Sequence, residues 1–264
     1  MAAADVALFS VCTAKGSPGV STVAAAMAMT WDRPTLLADL DTSGGDMAIR
    51  YRDEQSRPLL ADRGLMSLAS SLRRGTEGGS VEPHVQRIAG GPAVLAGVTR
   101  PEQVAALGAS WQHIAVALAA IAEVDVIADC GRIVPQTAVM PVLAASSAVL
   151  VLTRPTVEEL YHLRERLSGI IEQLTAREAL GVPIGVAVVT DERDRASTGE
   201  IHRILDQARL DVSVVGQIAV DSKAAGRMRY SLEALPTKSL FVRSVAAVGQ
   251  SLRDLAARRA AQLA

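Results

Sequence analysis

The stretch Ala14-Lys15-Gly16-Ser17-Pro18-Gly19-Val20-Ser21-Thr22 constrains this chain more than any other. A hydrophobic run, Val6-Ala7-Leu8-Phe9-Ser10-Val11-Cys12, leads into it, and an Ala- and Met-rich helical pattern follows. Strand, glycine-bearing turn and helix N-terminus, in that order, form the setting of a phosphate-binding loop. The free N–H groups and positive dipole end of the helix face the turn there. The pattern G-x-x-x-x-G-K-[ST] would put glycines at 14 and 19, a lysine at 20 and a hydroxyl at 21. The sequence has Ala14, Gly19, Val20 and Ser21 instead. The phosphate lysine is missing, and a different lysine, Lys15, stands near the start of the loop.

The 264 residues are enough for a sizeable core, and they fit one large α/β domain as well as two small ones. With 49% hydrophobic but only 3% aromatic residues, the core must be built from Ala, Val, Leu and Ile. That bias suits parallel strands buried under helices. A net charge of −1 argues against a surface that coats nucleic acid. Of the 27 basic residues only three are lysines, and one of those three lies inside the loop. Cys12 and Cys130 offer neither a disulfide framework nor zinc spacing, and read as reduced, buried thiols. No charged segment precedes an apolar one at the N-terminus, and no apolar run approaches ~18 residues. The expectation is a cytoplasmic protein, with any membrane contact peripheral at the inner face.

Along the chain, strands are expected at 5–12, 34–41, 124–129, 147–152, 183–190 and 213–218. Helices are expected at 20–31, 47–51, 64–73, 101–122, 135–144, 157–174, 197–208, 227–235 and 239–262. Residues 84–88 and 93–98 flank Gly90-Gly91-Pro92 as a hairpin-like pair or two short strands, 75–80 form a glycine-rich surface loop, and 130–132 leave the 124–129 strand as a loop. Helix alternating with strand gives an α/β fold with a mostly parallel central sheet flanked by helices. No internal repeat or linker divides it, so residues 1–264 read as a single domain.

Acidic residues end two of the strands. Asp39 and Asp41 close the second, and Asp129 closes the fourth or fifth. Ligands of open parallel sheets bind beyond the carboxyl ends of the strands. Carboxylates placed there suit Mg²⁺, which takes one or two of them together with water and phosphate oxygens. An acid can also orient a water for attack on a terminal phosphate.

These motifs together resemble those of the ParA/MinD-type ATPases. Residues 15–22 are similar to the deviant loop K-G-G-x-G-K-[ST]-[ST], and Asp39-Leu40-Asp41 with Gly44-Gly45-Asp46 resembles the first switch, D-x-D-x-x-G. Asp129-Cys130-Gly131 resembles the second switch. Leu152-Thr153-Arg154-Pro155-Thr156 is similar to V-T-x-P-[ET], and Val215-Gly216-Gln217-Ile218-Ala219-Val220-Asp221 to V-G-x-I-P-x-D. The matches keep the family's order from about residue 6 to residue 236. The resemblance implies a phosphate-loop NTPase fold of the SIMIBI type, ATP or ADP with Mg²⁺, and a homodimer. It implies that Lys15 reaches phosphate across the dimer, and that Gly16, Ser17, Gly19, Val20, Ser21 and Thr22 form the loop. Ser21 would bind Mg²⁺ with Asp39 and Asp129 in support, and Asp41 would order the attacking water. Thr190, Asp191 and Asp221 would lie near the base, although Thr190-Asp191 stands where many members carry an Asn. The switch II strand would run beside the loop strand, bringing Cys12 near Cys130.

The departures carry information too. One charge-assisted hydrogen bond is worth ~1.5–3 kcal/mol, so Val20 in place of lysine weakens binding ~10- to 150-fold. Pro18 removes an N–H and Ser17 stiffens the turn. Keeping the first lysine and losing the second is the habit of the CpaE/TadZ-like and septum-site MinD-like branch. The implied function is a dimeric nucleotide switch that positions or assembles a pilus, secretion or division apparatus through an unknown protein partner, with slow or degenerate hydrolysis. The alternatives are a pseudo-ATPase scaffold that dimerises without nucleotide, a chromosome or plasmid partitioning ATPase, and a small-molecule enzyme of the same loop group. Arg193, Arg195, Arg203 and Arg209 are interleaved with Asp191, Glu192, Asp194, Glu200 and Asp206, a mixed face that argues against a specific DNA contact. His84, His113, His162 and His202 have no metal spacing. The apolar stripe of residues 241–263 reads as a helix that closes the core rather than one that lies on a membrane.

Overall fold

The computed structural model describes residues 7–75, 79–175, 181–194, 196–233 and 235–263. Expectations that fall on Asp5 and Val6, residues 76–78, Arg195, Ala234 and the side chain of Leu263 lie outside these. The strands are β1 (Leu8–Thr13), β2 (Thr35–Asp39), β3 (Gln86–Arg87), β4 (Ala93–Leu95), β5 (Asp125–Arg132), β6 (Ala148–Thr153), β7 (Ile184–Thr190) and β8 (Ser213–Ala219). The helices are α1 (Val20–Thr30), α2 (Met47–Arg50), α3 (Leu65–Arg74), α4 (Glu102–Leu107) and α5 (Ser110–Ala119) in the first half of the chain. They continue as α6 (Met140–Ala144), α7 (Val157–Thr175), α8 (Ala196–Gln207), α9 (Ser222–Met228) and α10 (Leu240–Leu263).

All eight strands form one sheet in the order β3-β4-β2-β5-β1-β6-β7-β8. Every pairing is parallel except the edge pair β3–β4. Each residue of β1, β2, β6 and β7 is buried, as an unbroken apolar run requires when helices cover both faces. One face packs on α3, α5, α6, α7 and α8 through residues such as Leu68, Ile114, Leu143, Leu167 and Ile201. The other packs on α1, α9 and α10 through Val23, Met27, Met228, Val245 and Leu252. The alanines of α1 let it lie close to the strands, and Ala24, Ala25 and Ala26 are fully buried.

The apolar stripe of α10 faces inward. Phe241, Val242, Val245, Val248 and Leu252 are all buried in the second layer, each contributing about 1.5–3 kcal/mol by burial. No helix among the described residues is long and apolar enough to cross a membrane. Near the beginning of the sheet's strands, Asp125 accepts from Ala7 N at 2.9 Å and from Trp31 Nε1 at 2.7 Å, with Arg33 Nη1 at 3.6 Å. Trp31 meets Phe9 edge-on at 4.9 Å and lies under the Arg253 guanidinium at 5.1 Å, while Arg253 pairs with Asp32. This cluster fastens the final helix to the first two strands.

Four expectations need correction. The helix expected at 101–122 is two helices, broken at Gly108, whose φ of 45° and ψ of −125° lie outside the helical region. The helix expected from residue 135 begins only at Met140. That expected at 227–235 lies earlier, at Ser222–Met228, because the Asp221 side chain caps Ala224 N at 2.9 Å. The loop expected at 130–132 is strand. Between the Val11–Asp129 and Thr13–Arg132 pairs the register shifts, so β5 carries one extra residue, and Gly131 at φ 58° takes the left-handed turn.

Candidate functional site

The order of the strands places β1 between β5 and β6, with the chain leaving β1 for β2 on one side and returning through β6 on the other. A crevice opens at such a reversal, beyond the carboxyl ends of the strands. The loop from Ala14 to Gly19 sits there, between β1 and α1. Gly16 (φ 72°) and Gly19 (φ 96°) hold left-handed conformations that a side chain would resist. Thr13 Oγ1 lies 2.8 Å from Lys15 O and 2.9 Å from Leu152 O, its single proton shared between the two carbonyls, which ties the loop to β6. Val20 is buried in the apolar layer beneath α1, so its side chain belongs to the core.

Asp39 and Asp129 are register partners at the ends of β2 and β5, both 1% exposed. Asp39 Oδ2 accepts from Met47 N at 3.1 Å, and Asp129 Oδ1 accepts from Gly131 N at 3.0 Å. The second oxygens, Asp39 Oδ1 and Asp129 Oδ2, are buried without a hydrogen-bond partner. Burial, then the neighbouring Asp129 charge, pushes the Asp39 carboxyl well above the usual range. Burial raises Asp129 as well, while the Ser21 hydroxyl and Gly131 N–H pull it back. Among the described residues neither carboxyl has an ion pair, although the Arg50 charge lowers Asp129.

The glycines around these acids explain how they fit. A Cβ at Gly45 would stand 2.5 Å from Asp39 Oδ2, and one at Gly97 would stand 2.6 Å from the Asp39 carbonyl oxygen. Asp41, just beyond β2, accepts from Ser43 N at 2.8 Å, and its carboxyl lies over Gly131, where a Cβ would meet Asp41 Cγ at 2.1 Å. Ser21, Asp39, Asp41 and Asp129 therefore converge below the loop.

Thr190, Asp191 and Asp221 form a separate group at the ends of β7 and β8, across β6 from the loop strand. Thr190 Oγ1 donates to Asp194 Oδ2 at 2.8 Å, and Gln217 Nε2 donates to Asp191 O at 2.7 Å. Val220 N reaches Thr190 O at 3.0 Å, joining the two strand ends. The Asp221 carboxylate is engaged in capping α9.

The donor set fits Mg²⁺. No group of three or more His, Cys, Asp and Glu among the described residues forms a cage. Two carboxyls with orphaned oxygens and one hydroxyl leave the remaining positions to water and phosphate, the coordination this ion prefers. A cavity of about 840 Å³ opens at the opposite end, lined by Thr35 and Val124 near the strand starts with Val85, Val116 and Ile121. Among the described residues none of the buried unpaired polar atoms lines it, whereas Asp39 and Asp129 each carry one near the loop.

Three side chains at this site were not singled out by the sequence, Arg154 because it fills the open position of the Thr153–Pro155 motif. Arg154 Nη2 donates to Ser17 O at 2.7 Å, and Arg166 donates to Ala14 O. The buried Glu159 accepts from Arg154 N at 2.8 Å and presses on Gly16, where a Cβ would stand 2.4 Å from Oε1. Only their position on the turn after β6 and on α7, beside β1, reveals them. Cys12 and Cys130 lie on the adjacent strands β1 and β5, both free and fully buried. Burial pushes the Cys130 thiol up to about 12 and raises Cys12 well above its usual value.

Loop position and sheet order define an α/β fold with a glycine-bearing loop at the reversal of strand order. Solved structures sharpen this. The chain superposes on a ParA family ATPase from Chlorobium tepidum TLS with a TM-score of 0.66, at 17% identity, over 93% of this chain and 98% of that one. It matches the septum site-determining protein MinD complexed with Mg-ADP from Pyrococcus horikoshii OT3 at a TM-score of 0.68 and 14% identity, over 96% and 98%. A putative plasmid partition protein from Borrelia burgdorferi B31 bound to AMPPNP matches at 0.70 and 11%, over 94% and 99%. The fold is that of the ParA- and MinD-type ATPases. No protein-family model and no curated protein sequence matches the chain.

Proposed function

We propose that this chain is a ParA/MinD-type nucleotide switch, one domain that binds ATP or ADP with Mg²⁺, forms a two-fold homodimer and hydrolyses slowly. The observation that carries the reading is the Asp39–Asp129 pair, two buried carboxyls with unpaired oxygens beneath Ser21 and a glycine loop. Nucleotides in the Pyrococcus and Borrelia structures of the same fold support it. In this reading Ser21, Asp39 and Asp129 hold Mg²⁺, which supplies charge neutralisation to the phosphates. The loop of Gly16, Ser17, Gly19, Val20, Ser21 and Thr22 cradles phosphate through its N–H groups, and Lys15 supplies its cation across the dimer. Asp41 orients the attacking water. Thr190, Asp191 and Asp221 flank the base, a placement consistent with a ligand that spans β1 to β8.

The retained Lys15 and absent second lysine are what support a CpaE/TadZ-like reading, a positioning or assembly switch for a pilus, secretion or division apparatus acting through a protein partner. A cytoplasmic location with at most peripheral membrane contact follows from that role. Partitioning on DNA is the weaker variant, given the mixed charge around α8.

One observation favours a second reading. Val20 is built into the core, so the site lacks its lysine by design of the packing, and a pseudo-ATPase scaffold remains the competing account. Calorimetric titration of the full chain with ATP, with and without Mg²⁺, separates the two. The switch gives Mg²⁺-dependent heat, a dimer shift in light scattering, and loss of both in Lys15→Ala. No heat and no shift at millimolar ATP establishes the scaffold. Turnover of ~10 per second, ordinary for a metabolic enzyme, rules against both.

A further inference from the structure

The loop is held from behind, carbonyl by carbonyl. Arg166 on α7 donates to Ala14 O and reaches Ile133 O at 3.3 Å. Thr13 Oγ1 takes Lys15 O at 2.8 Å, Arg154 Nη2 takes Ser17 O at 2.7 Å, and Val23 N takes Gly19 O at 2.9 Å. Within a trans peptide the C=O of one residue and the N–H of the next point in opposite directions. Fixing the carbonyls of Ala14, Lys15 and Gly19 outward therefore aims the N–H groups of Lys15, Gly16 and Val20 the other way. Among the described residues, the N–H groups of Lys15 and Gly16 donate no hydrogen bond inside the chain.

The Ser17–Pro18 peptide is different. Pro18 has no N–H, so this peptide offers an anion nothing but a repelling carbonyl. That carbonyl is the one Arg154 holds. Glu159 sets the guanidinium in turn, with its Oε1 3.7 Å from Arg154 Nη1 and its Oε2 on Arg154 N.

We infer that Arg154 and Arg166 are positioning residues for phosphate binding by this loop, a two-arginine brace that holds the Ser17 and Ala14 carbonyls back and turns the remaining N–H groups toward the anion. The inference rests on the nucleotide reading for its ligand and deepens it. The brace accounts for how a loop with Val20 and Pro18 keeps a binding geometry. Preorganised donors need no rearrangement when the anion arrives, and the energy of ordering the loop is already met by the fold.

Two measurements on the full-length chain test it. Backbone amide order parameters of Lys15, Gly16, Gly19 and Val20, measured without nucleotide, report the brace itself. Titration with Mg-ATP reports its consequence. The wild-type amides should be rigid, with order parameters near ~0.85, and should fall toward ~0.6 in Arg154→Gln and in Arg166→Gln. Each substitution should weaken ATP binding by ~10-fold. Arg154→Lys and Arg166→Lys, which keep a charged donor, should restore both readouts to within about twofold of wild type in affinity. A general folding role would lower the thermal midpoint without this selective loosening, and lysine rescue would not follow it. Arg154 is 44% exposed, so its variant is the one to rely on should Arg166→Gln fail to fold. Unchanged loop order parameters in Arg154→Gln overturn the brace whatever the nucleotide does. A rigid wild-type loop that loosens in the variants upholds the brace, and failure of wild type to bind ATP then counts against the nucleotide reading alone.

Discussion

Asp39 and Asp129 stand opposite each other on adjacent parallel strands, and each keeps one buried oxygen that no donor reaches. Burial raises both, helped at Asp39 by the Asp129 charge and at Asp129 by the Asp41 charge, bringing Asp39 to about 8 and Asp129 to about 6. The folded chain therefore retains protons that the unfolded chain, with carboxyls near ~3.9, has already released. This contribution to stability is complete below pH ~4 and is lost as pH rises through about 6 and then about 8. In EDTA, the thermal midpoint of wild type relative to Asp39→Asn should fall between pH 5 and 8.5. At pH 8.5 the variant should be the more stable by ~1–2 kcal/mol, a few degrees for a chain of this size. A difference that is flat or rises across this range would show that the pair is not held protonated. Mg²⁺ with ATP should stabilise wild type and leave Asp39→Asn unmoved.

Val20 makes the opposite kind of prediction, a gain of function. A lysine at position 20 has to carry its ammonium out of the apolar layer that holds Val20 to reach the helix N-terminus, where a charge-assisted donor is worth ~1.5–3 kcal/mol in binding. ATP affinity measured by calorimetry should rise by ~10-fold or more. The cost is a buried apolar side chain, so the nucleotide-free midpoint should drop, by ~1–2 kcal/mol in stability. Unaltered affinity in a folded Val20→Lys chain would show that the loop does not direct position 20 at phosphate.

Much of this was legible in the sequence because it depended on local pattern. Unbroken apolar runs marked the buried strands, and the acids expected at their ends stand toward the carboxyl ends of β2 and β5. The places that escaped depend on contacts between distant residues or on backbone turns. The bulge that extends β5 past Asp129 is set by the pairing with β1 and by Gly131 fitting under Asp41. Gly108 breaks a helix whose side-chain periodicity runs on through it. Nothing in the spacing of Arg154, Glu159 and Arg166 says that they reach the loop from the turn after β6 and from α7.

Gly131 and Gly199 form a matched pair for testing that bulge. Alanine at 131 meets Asp41 Cγ at 2.1 Å and must hold a φ of 58°. The left-handed strain alone costs ~1–2 kcal/mol, and moving Asp41 removes the acid proposed to orient water. Gly131→Ala should lose that stability in denaturant titration and lose ATP turnover further than it loses ATP affinity. Gly199 lies within α8 with no heavy atom within 4 Å of its would-be Cβ. Gly199→Ala should therefore stabilise by ~0.5–1 kcal/mol and leave nucleotide binding unchanged. Equal effects from the two substitutions would contradict the packing of Asp41 on Gly131.

Cys12 and Cys130 test whether the core beneath the site opens. Both are fully buried, and their raised pKa values keep them as thiols at neutral pH. A disulfide-exchange reagent should label neither in the native chain and should label both once the chain is unfolded in guanidinium. Rapid native labelling would mean that β1 and β5 separate at the end bearing Asp129, so the carboxyl pair would not be buried in solution.

Asp125 anchors the other end of the same strand. Its carboxylate answers the N–H of Ala7, the indole N–H of Trp31 and the Arg33 guanidinium, while itself 2% exposed. Truncation to alanine leaves the half-buried Ala7 and Trp31 donors without this acceptor, at up to ~1–3 kcal/mol for each group. Asp125→Ala should lose ~2–5 kcal/mol of unfolding free energy, while Asp125→Asn, which keeps one carbonyl acceptor, should lose about half as much. Because Arg253 stacks on Trp31 and pairs with Asp32, the damage should reach α10. Trp31 fluorescence should shift and the helix should loosen before the sheet melts. ATP affinity in the folded fraction should stay within about twofold of wild type, since the loop and the Asp39–Asp129 pair lie at the far end of the strands. A loss of affinity as large as that of Lys15→Ala would mean that the two ends of β5 are coupled.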